Sequence, residues 1–414
     1  MNYSQAIKYL DSFINYEKTP PRSHAELNLA RMRHGLEVLN HPENNFFPIL
    51  IAGTVGKGST GYFLEQILKS SGISCGYYHS PHVDDIRERI RVHGDMLSEK
   101  KWASALTDIQ NKLKKNPFPK KMGKPTYFEM MTLLAIELFG REGLRIGIFE
   151  IGMGGRLDAT NVLDAPLCLL TKIDFDHQAF LGNTLAKIAA EKAGIIKQAR
   201  FVVSAPQEKS AMNVIRRIAA KQNSRLISAR PLGFQPALSG LFQKENAGNA
   251  VAAARLLRDQ FDFGIKESAI RAGLRQKKWP ARFELARAKK MNLILDAAHN
   301  PAGCRELVRA FTRVKKKPAA ILFSALRDKE STVMLKILAS FRVPLIIVPI
   351  HHARAKSPSD LAAEAEAFFD RIILAKNMKQ GFELLKKQIR AGQTAVITGS
   401  FYLLCEARQI LGIK

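Results

Sequence analysis

The sequence of 414 residues is poor in cysteine and in aromatic residues and contains no long apolar run. Its four cysteines lie far apart and form no CxxC pair, which argues against a zinc site or a disulfide framework and suits a reducing compartment. No apolar run approaches the roughly 20 residues that a membrane helix needs. The first residues mix charge into every turn, so a signal peptide is not indicated. We therefore expect a soluble, cytoplasmic protein without a membrane partner.

Acidic residues are also scarce, because 37 Asp and Glu stand against 64 Lys and Arg and give a net charge of +27. An excess of this size raises nucleic acid as a partner. The basic residues are spread along the whole chain, however, and no basic-aromatic repeat accompanies an aromatic content of 8%. We interpret the basic residues mainly as solvated faces, whose field would also speed encounters with small anions.

A glycine-rich stretch at residues 53–60, GTVGKGST, is the most informative motif. An apolar run typical of a buried strand precedes it, and a segment with helical periodicity follows. In such a strand-loop-helix arrangement, backbone N–H groups, the helix N-terminus and Lys57 can bind phosphates. Ser59 or Thr60 would offer a hydroxyl to Mg²⁺. Gly58 separates the lysine from these hydroxyls, unlike the usual signature, so an ordinary glycine-rich turn stays an alternative.

Two later apolar strands end in polar side chains. Leu144–Ile151 carries Glu150 near its end, and Leu167–Ile173 is followed by Asp174, Asp176 and His177. Because ligands collect at the carboxyl ends of parallel strands, we predict that Glu150 is a Mg²⁺ ligand. The alternative is a glutamate that points into water.

The segment Cys75–Val92 is polar and irregular around residues 79–82, which indicates a loop beside the phosphates. Two histidines near two aspartates in this loop suggest metal binding, although such groups are more often solvated.

A domain boundary is predicted near Trp279 and Pro280, which interrupt the pattern and divide the chain into residues 1–281 and 282–414. Beyond it, strands are predicted at 292–296, 319–324, 343–348, 371–374 and 394–398, and helices at 301–314, 329–341, 358–369, 378–390 and 400–411. This alternation predicts a second, mostly parallel sheet covered on both faces. The predicted fold class is α/β, with a P-loop-type, mostly parallel sheet in the N-terminal domain and a smaller Rossmann-like C-terminal domain.

Eight blocks in order resemble the folylpolyglutamate synthases and dihydrofolate synthases, the folate branch of the Mur ligase superfamily. They are GTVGKGST (53–60), SPHVDDIRERIRV (80–92), TYFEMMTLLA (126–135), FEIGMGGRLDATNV (149–162), DHQAFLGNTLAKIAAEKAGIIK (176–197), GNAVAAA (248–254), WPARFE (279–284) and DAAHNP (296–301). Gly58 fits this resemblance, because the folate branch has GKG followed by Ser or Thr. Val55 departs from the asparagine usual at its position.

The resemblance implies an ATP-dependent ligase that joins L-glutamate to dihydropteroate, to the γ-carboxylate of reduced folates, or to both, through an acyl phosphate. A bifunctional enzyme is favoured, and a monofunctional folylpolyglutamate synthase is the alternative. A nucleic-acid-associated P-loop ATPase is the remote alternative, and nucleic acid is not expected as a partner. ATP and two Mg²⁺ ions are the implied cofactors, and a monomer is expected.

The same resemblance assigns roles to individual residues. Nucleotide binding falls to Gly53, Thr54, Gly56, Lys57, Gly58, Ser59, Thr60, Asn249, Arg282 and Asp296. Metal binding falls to Ser59, Ser80, Glu150 and His177. Lys57, Lys192 and His299 are the implied catalytic residues, with Lys192 carbamylated. Substrate contacts fall to Thr126, Tyr127, Phe128, Glu129, Arg156, Leu157 and Asp158.

Overall fold

The structure is a computed structural model that describes residues 1–19, 26–277, 279–288, 291–313, 317–390 and 392–413. The chain forms two compact units. Unit 1 comprises Met1–Ser80, Arg87–Leu232 and Glu245–Gln276, and unit 2 comprises Pro81–Ile86, Gly233–Lys244 and Lys277–Lys414. No pattern in the sequence indicated the two short segments that belong to unit 2, and the domain limits 1–281 and 282–414 stay a prediction.

Unit 1 is built on a sheet whose central strands are apolar runs. Its strands are β1 (Phe47–Ala52), β2 (Cys75–Tyr78), β3 (Ile90–Val92), β4 (Asp95–Met96), β5 (Ile146–Glu150), β6 (Leu167–Leu170), β7 (Phe201–Ser204) and β8 (Arg225–Ser228). Within the described residues they form one sheet in the order β4-β3-β2-β5-β1-β6-β7-β8. The strands from β2 to β8 in this order are parallel, and β3 and β4 add an antiparallel edge. The central strands show no polar alternation, since helices cover both faces of a parallel sheet.

The sequence analysis did not identify strand β2, because it described Cys75–Val92 only by its polar, irregular residues 79–82. The segment CGYY is too short and too tyrosine-rich to give a clear apolar signal, yet all four residues are buried. It pairs in parallel with β5, and the chain returns through β3 on the other side. The polar loop is therefore confined to the residues between these two strands.

Ten helices in the described part of the chain surround this sheet. They are α1 (Tyr3–Asp11), α2 (Leu29–Val38), α3 (Lys57–Ser70), α4 (Glu99–Lys115), α5 (Tyr127–Arg141), α6 (Gln178–Leu181), α7 (Leu185–Ala193), α8 (Lys209–Lys221), α9 (Gln243–Phe261) and α10 (Glu267–Gly273). Helices α3 and α5 are buried along most of their length. Helix α3, which residues 53–56 separate from the end of β1, is therefore held firmly in the interior.

Unit 2 repeats the α/β plan on a smaller scale. Its strands are β9 (Glu284–Ala288), β10 (Met291–Asp296), β11 (Ile321–Phe323), β12 (Leu345–Ile347), β13 (Ile372–Leu374) and β14 (Thr394–Thr398). Its helices are α11 (Pro301–Arg313), α12 (Ser331–Leu338), α13 (Pro358–Ala365), α14 (Met378–Gln388) and α15 (Phe401–Leu411). Over the residues described, the sheet order is β13-β12-β11-β14-β10-β9, parallel except for β9.

Alternate residues of the unit 2 strands enter two separate cores, one on each face of the sheet. Leu293 and Leu295 pack with α14 and α15, whereas Ile294 packs with α11, α12 and α13. This arrangement is expected when helices cover both faces of a sheet. The predicted alternation of strands and helices is confirmed element by element, and only the edge strand β9 was missed. The predicted fold class is likewise confirmed.

None of the helices in the described ranges combines the length and the apolar character that crossing a bilayer demands.

Candidate active site

The phosphate loop, defined as residues 53–60, leads from the end of β1 into the first turn of α3. Gly53 and Gly56 have positive φ values of 151° and 92°. A Cβ atom on Gly53 would lie 1.9 Å from Thr171 Oγ1, and one on Gly56 would lie 2.1 Å from Asn246 Oδ1. Both positions therefore require glycine for conformation and for space.

The loop is anchored to the chain that follows β6. The Thr54 hydroxyl donates to the carbonyl oxygen of Asp174 at 2.8 Å and accepts from the Asp174 N–H at 3.0 Å. The Thr54 N–H also donates to the carbonyl oxygen of Lys172 at 2.9 Å. Thr54 thus has a structural task besides its predicted nucleotide contact. Among the described residues, no side chain caps the N-terminus of α3, whose positive potential is a suitable place for phosphate oxygens.

Two lysine side chains converge on one carbonyl oxygen of this loop. Lys57 Nζ donates to the Gly53 oxygen at 3.1 Å, and Lys192 Nζ donates to the same oxygen at 3.0 Å. Lys192 is only 4% exposed. Helix α7 brings it from 135 positions further along the chain, so two of the three predicted catalytic residues meet at one atom. Two ammonium groups at a single oxygen concentrate positive charge where a triphosphate would lie.

Glu150 ends β5 beside these lysines and is 4% exposed. Its Oε1 lies 4.0 Å from Lys57 Nζ, and its Oε2 accepts a hydrogen bond of 3.0 Å from the Tyr77 hydroxyl. The Tyr77 hydroxyl also lies 3.3 Å from the carbonyl oxygen of Gly58. Tyr77 therefore orients the predicted metal ligand and ties it to the phosphate loop. The sequence analysis missed this tyrosine because it did not recognise β2 as a strand of the central sheet.

Ser80 and His177 follow the ends of two other strands at the same sheet edge. Strands β2, β5, β1 and β6 are consecutive neighbours, so Ser80, Glu150, the phosphate loop and residues 171–177 share the carboxyl edge of the sheet. His177 adopts a left-handed conformation at φ 50°, and its Nε2 lies 3.9 Å from Asp176 Oδ2.

The donor set at this edge fits Mg²⁺ rather than a metal enclosed by protein side chains. Within the residues that the structure describes, no three His, Cys, Asp or Glu side chains form a metal cluster. Mg²⁺ is usually held by one or two carboxylates, substrate phosphates and water. A single buried carboxylate with a serine hydroxyl beside a phosphate loop matches that pattern.

The segment after β5 uses Asp158 to organise its own turn. One carboxylate oxygen accepts from the N–H groups of Gly152 and Met153, both at 3.0 Å. The other accepts from the Thr160 N–H at 3.0 Å and from its hydroxyl at 2.7 Å. Burial raises the pKa of Asp158, while these bonds favour its charged form. The predicted substrate contact of Asp158 stays untested.

Arg156 attaches the same segment to the end of α7. Its side-chain Nε and Nη2 lie 3.1 and 2.9 Å from Glu191 Oε1. Its backbone N–H donates to the Glu191 carbonyl oxygen at 2.9 Å. A Cβ on Gly155 would lie 2.8 Å from that carbonyl oxygen. Because Glu191 directly precedes Lys192, the turn at 152–158 helps to fix the lysine that reaches Gly53.

Thr126 and Glu129 form a capping box at the start of α5. The Glu129 carboxylate accepts from the Thr126 N–H at 2.7 Å and lies 2.8 Å from Nη2 of buried Arg31. Phe128 lies against Gly152, where a Cβ would come within 2.7 Å of its ring. The structure therefore brings the two predicted substrate segments, 126–129 and 156–158, to neighbouring turns. Arg31 was not recognised from the sequence, because an arginine on an amphipathic helix usually faces water.

Asn249, on α9, is fully buried against the end of β6. Its Nδ2 donates to the Leu170 carbonyl oxygen at 3.2 Å, which leaves Oδ1 as an acceptor without a partner among the residues described. A buried amide oxygen that lacks a donor is costly. It fits a ligand N–H group, in accordance with the predicted nucleotide contact.

Unit 2 holds the remaining predicted residues together around Phe401, which the sequence analysis did not single out. The Arg282 guanidinium lies 4.9 Å from the centre of the Phe401 ring, and the His299 ring lies 5.5 Å from it. His299 Nδ1 lies 2.8 Å from the Ala297 carbonyl oxygen. Asp296, the last residue of β10, accepts from the Phe283 N–H at 2.8 Å. Burial raises the pKa of the Asp296 carboxyl to about 6.

The two α/β units and the phosphate-loop edge define a class of ATP-dependent ligases, and comparison with known proteins agrees. The model of the Mur ligase glutamate ligase domain matches residues 281–401. The dihydrofolate synthase/folylpolyglutamate synthase of Bacillus subtilis is 30% identical over 410 residues, covering 92% of this chain and 94% of that protein.

Solved structures give the same answer. The folylpolyglutamate synthase of Mycobacterium tuberculosis, complexed with ADP, superposes with a TM-score of 0.88 at 25% identity, covering 100% of this chain and 98% of that one. The bifunctional folylpolyglutamate synthase/dihydrofolate synthase of Yersinia pestis gives 0.83 at 26% identity, covering 100% and 99%. The chain belongs to the dihydrofolate synthase/folylpolyglutamate synthase family of Mur ligases. It is an ATP-dependent ligase that forms amide bonds between glutamate and folates.

The buried carboxyl of Asp296 generates a prediction about stability and pH. A pKa raised from 3.8 to about 6 means that the folded state binds the proton more tightly than the unfolded state. Protonation of Asp296 therefore stabilises the fold, and this stabilisation is complete below about pH 4 and is lost as pH rises through about 6. We expect Asp296→Asn to be more stable than the parent protein at pH 8, by at most about 3 kcal/mol, and this gain to be clearly smaller at pH 4.5. Denaturant unfolding at both pH values measures it.

The exposed Asp370 supplies the control, because Asp370→Asn should leave the pH dependence unchanged. An Asp296→Asn variant that is equally destabilised at pH 4.5 and pH 8 would contradict the raised pKa.

Proposed function

We propose that this enzyme is bifunctional and joins L-glutamate both to dihydropteroate and to the γ-carboxylate of reduced folates. The observation that carries the chemical part is the meeting of Lys57, Lys192 and Glu150 at the phosphate loop, where charge can be neutralised as a phosphoryl group moves. The Bacillus subtilis relative, whose name contains both activities, supports the double assignment.

In the proposed reaction, a carboxylate oxygen of the folate substrate attacks the γ-phosphorus of ATP, and ADP leaves. The acyl phosphate so formed has a good leaving group, and the glutamate amine displaces phosphate to form the amide. Lys57 and the amide groups at the start of α3 hold the phosphates and balance the charge that develops on them. Mg²⁺, when bound, neutralises phosphate charge, with Ser59, Ser80, Glu150 and His177 as its proposed ligands. Tyr77 keeps the Glu150 carboxylate turned toward the phosphate loop.

Asn249 is proposed to recognise the adenine base. Its Nδ2 is occupied by the Leu170 carbonyl oxygen, so the amide orientation is fixed and Oδ1 is presented as an acceptor. The exocyclic amine of adenine is a donor, whereas the corresponding group of guanine is an acceptor. This polarity favours ATP over GTP.

Glutamate is proposed to bind at the carboxyl edge of the unit 2 sheet. Arg327 follows β11, and Arg354 and Lys356 follow β12, so three basic side chains come from two neighbouring strands. The two loops are joined, because the Arg327 N–H donates to the Arg354 carbonyl oxygen at 2.8 Å. Arg354 is paired with Asp328 at 2.9 Å and Lys356 is paired with Glu364, whereas the Arg327 side chain donates to the Ala353 carbonyl oxygen. Arg327 is therefore the better candidate for a carboxylate of glutamate.

Lys192 is proposed to act as a carbamate. Its ammonium and that of Lys57 share the Gly53 oxygen, which places two like charges in a mostly buried position. If the neutral amine adds CO₂ and releases one proton, the new N–C bond turns Lys192 into an anion. The repulsion then becomes attraction toward Lys57, and the carbamate oxygens become suitable ligands for Mg²⁺.

A substrate panel tests the proposed function. Purified protein with MgATP and radiolabelled glutamate should form labelled product with dihydropteroate and with tetrahydrofolate, and none with a UDP-muramyl peptide. Product with tetrahydrofolate alone would reduce the assignment to a monofunctional enzyme. Incorporation only with the muramyl peptide would overturn the folate assignment.

The carbamate proposal predicts that Lys192→Ala lowers turnover by at least about a hundredfold, as loss of a charge-stabilising group in a dry site does. Binding of MgADP, followed by calorimetry, should persist. The unmodified enzyme should show a ¹³C carbamate signal after incubation with labelled bicarbonate, and the variant should lack it. Lys187→Ala, on the exposed side of the same helix, is the matched control. Near-normal turnover of Lys192→Ala would reject the role.

A further inference from the structure

The segment Pro81–Ile86 belongs to unit 2 although it lies between two strands of unit 1. Ser80, the proposed Mg²⁺ ligand, is the last residue of unit 1 before this segment. Val83 is buried in the core of unit 2 with Leu403, Leu404 and Ala407, all on α15. The segment that directly follows Ser80 is therefore packed into unit 2.

An ion pair reinforces this attachment. Arg408, also on α15, is 2% exposed, and its Nε donates to both oxygens of Asp84 at 2.9 and 3.1 Å. One N–H is shared between the two oxygens, so this is a bifurcated, charge-assisted hydrogen bond that holds Asp84 against α15. Asp84, one of the aspartates that suggested metal binding in the sequence, is thus engaged with an arginine.

The same guanidinium supports a second element of the nucleotide site. Arg408 Nη1 donates to Glu284, whose other oxygen accepts from the Ala281 N–H at 2.9 Å. Ala281 and Phe283 have positive φ values of 60° and 49°, a conformation that side chains other than glycine adopt only under constraint. The turn so constrained carries Arg282. Arg408 therefore contacts a residue close in sequence to each of two predicted ligand-binding side chains, Ser80 for Mg²⁺ and Arg282 for the nucleotide.

We propose that Arg408 is a positioning residue for the ligase reaction: it fixes, through Asp84, the chain that follows Ser80 and, through Glu284, the turn that bears Arg282. This inference rests on the proposed function, because Ser80 and Arg282 matter only if nucleotide binds there. Buried Val83 and the ion pair of Asp84 with a buried arginine are two attachments within one six-residue segment, which is more than a surface loop needs. An ion pair of this kind also adds little stability by comparison with apolar packing, so stability alone is a weak reason for it.

The test uses Asp84→Asn in the full-length enzyme, because this change removes the charge, keeps the shape and leaves Arg408 paired with Glu284. We expect the dissociation constant of MgADP, measured by calorimetry, and the KM for MgATP to rise about fivefold, at the lower end of site coupling. The KM for glutamate and the thermal midpoint should stay at their parent values. Asp84→Glu should restore most of the affinity, and Glu284→Gln should act in the same direction as Asp84→Asn.

Asp164→Asn is the matched control, since Asp164 pairs with Arg200 at 2.7 Å far along the chain from either segment. It should leave every constant unchanged. An Asp84→Asn variant that binds MgADP as tightly as the parent enzyme would overturn the inference. So would a variant in which weaker MgADP binding comes with an equal rise in the KM for glutamate and a lower thermal midpoint. If the parent enzyme fails to ligate glutamate while Asp84→Asn still weakens MgADP, the ligase function falls and the positioning role stands.

Discussion

The carbonyl oxygen of Gly53 accepts hydrogen bonds from two lysine side chains, and the organisation of the site depends on this one atom. Lys57 comes from the helix that the phosphate loop begins, whereas Lys192 comes from a helix much later in the chain. Gly53 itself leaves no room for a Cβ beside Thr171. The phosphate loop, the chain that follows β6 and helix α7 must therefore all be in place before the two charges can meet.

Charged groups held away from water oppose folding, and this enzyme retains several of them. Glu150, Lys192 and Asp296 are each buried, and the raised pKa of Asp296 shows that its ionised form is disfavoured by the fold. Proteins keep such arrangements where function requires them and compensate elsewhere. Here the compensation is visible in the two-sided apolar cores of unit 2 and in the buried helices α3 and α5.

Much of this architecture could be predicted from sequence, and the failures have physical causes. Long apolar runs identified β1, β5 and β6, and their order placed Glu150 near the phosphate loop. Strand β2 was missed because its four residues carry no apolar alternation, and Tyr77 was missed with it. Arg31, Phe401 and Arg408 act through partners distant in sequence, so no local pattern reveals them. The attachment of Pro81–Ile86 to unit 2 is likewise a tertiary property.

The central claim is that the charge gathered at Gly53 serves phosphoryl transfer to a folate carboxylate. Labelling the γ-carboxylate of tetrahydrofolate with ¹⁸O tests it most directly, because an acyl phosphate must pass one carboxylate oxygen to the phosphate that leaves. The account predicts ¹⁸O in the inorganic phosphate, one atom for each amide bond formed. Unlabelled phosphate, released while the amide still forms, would contradict it.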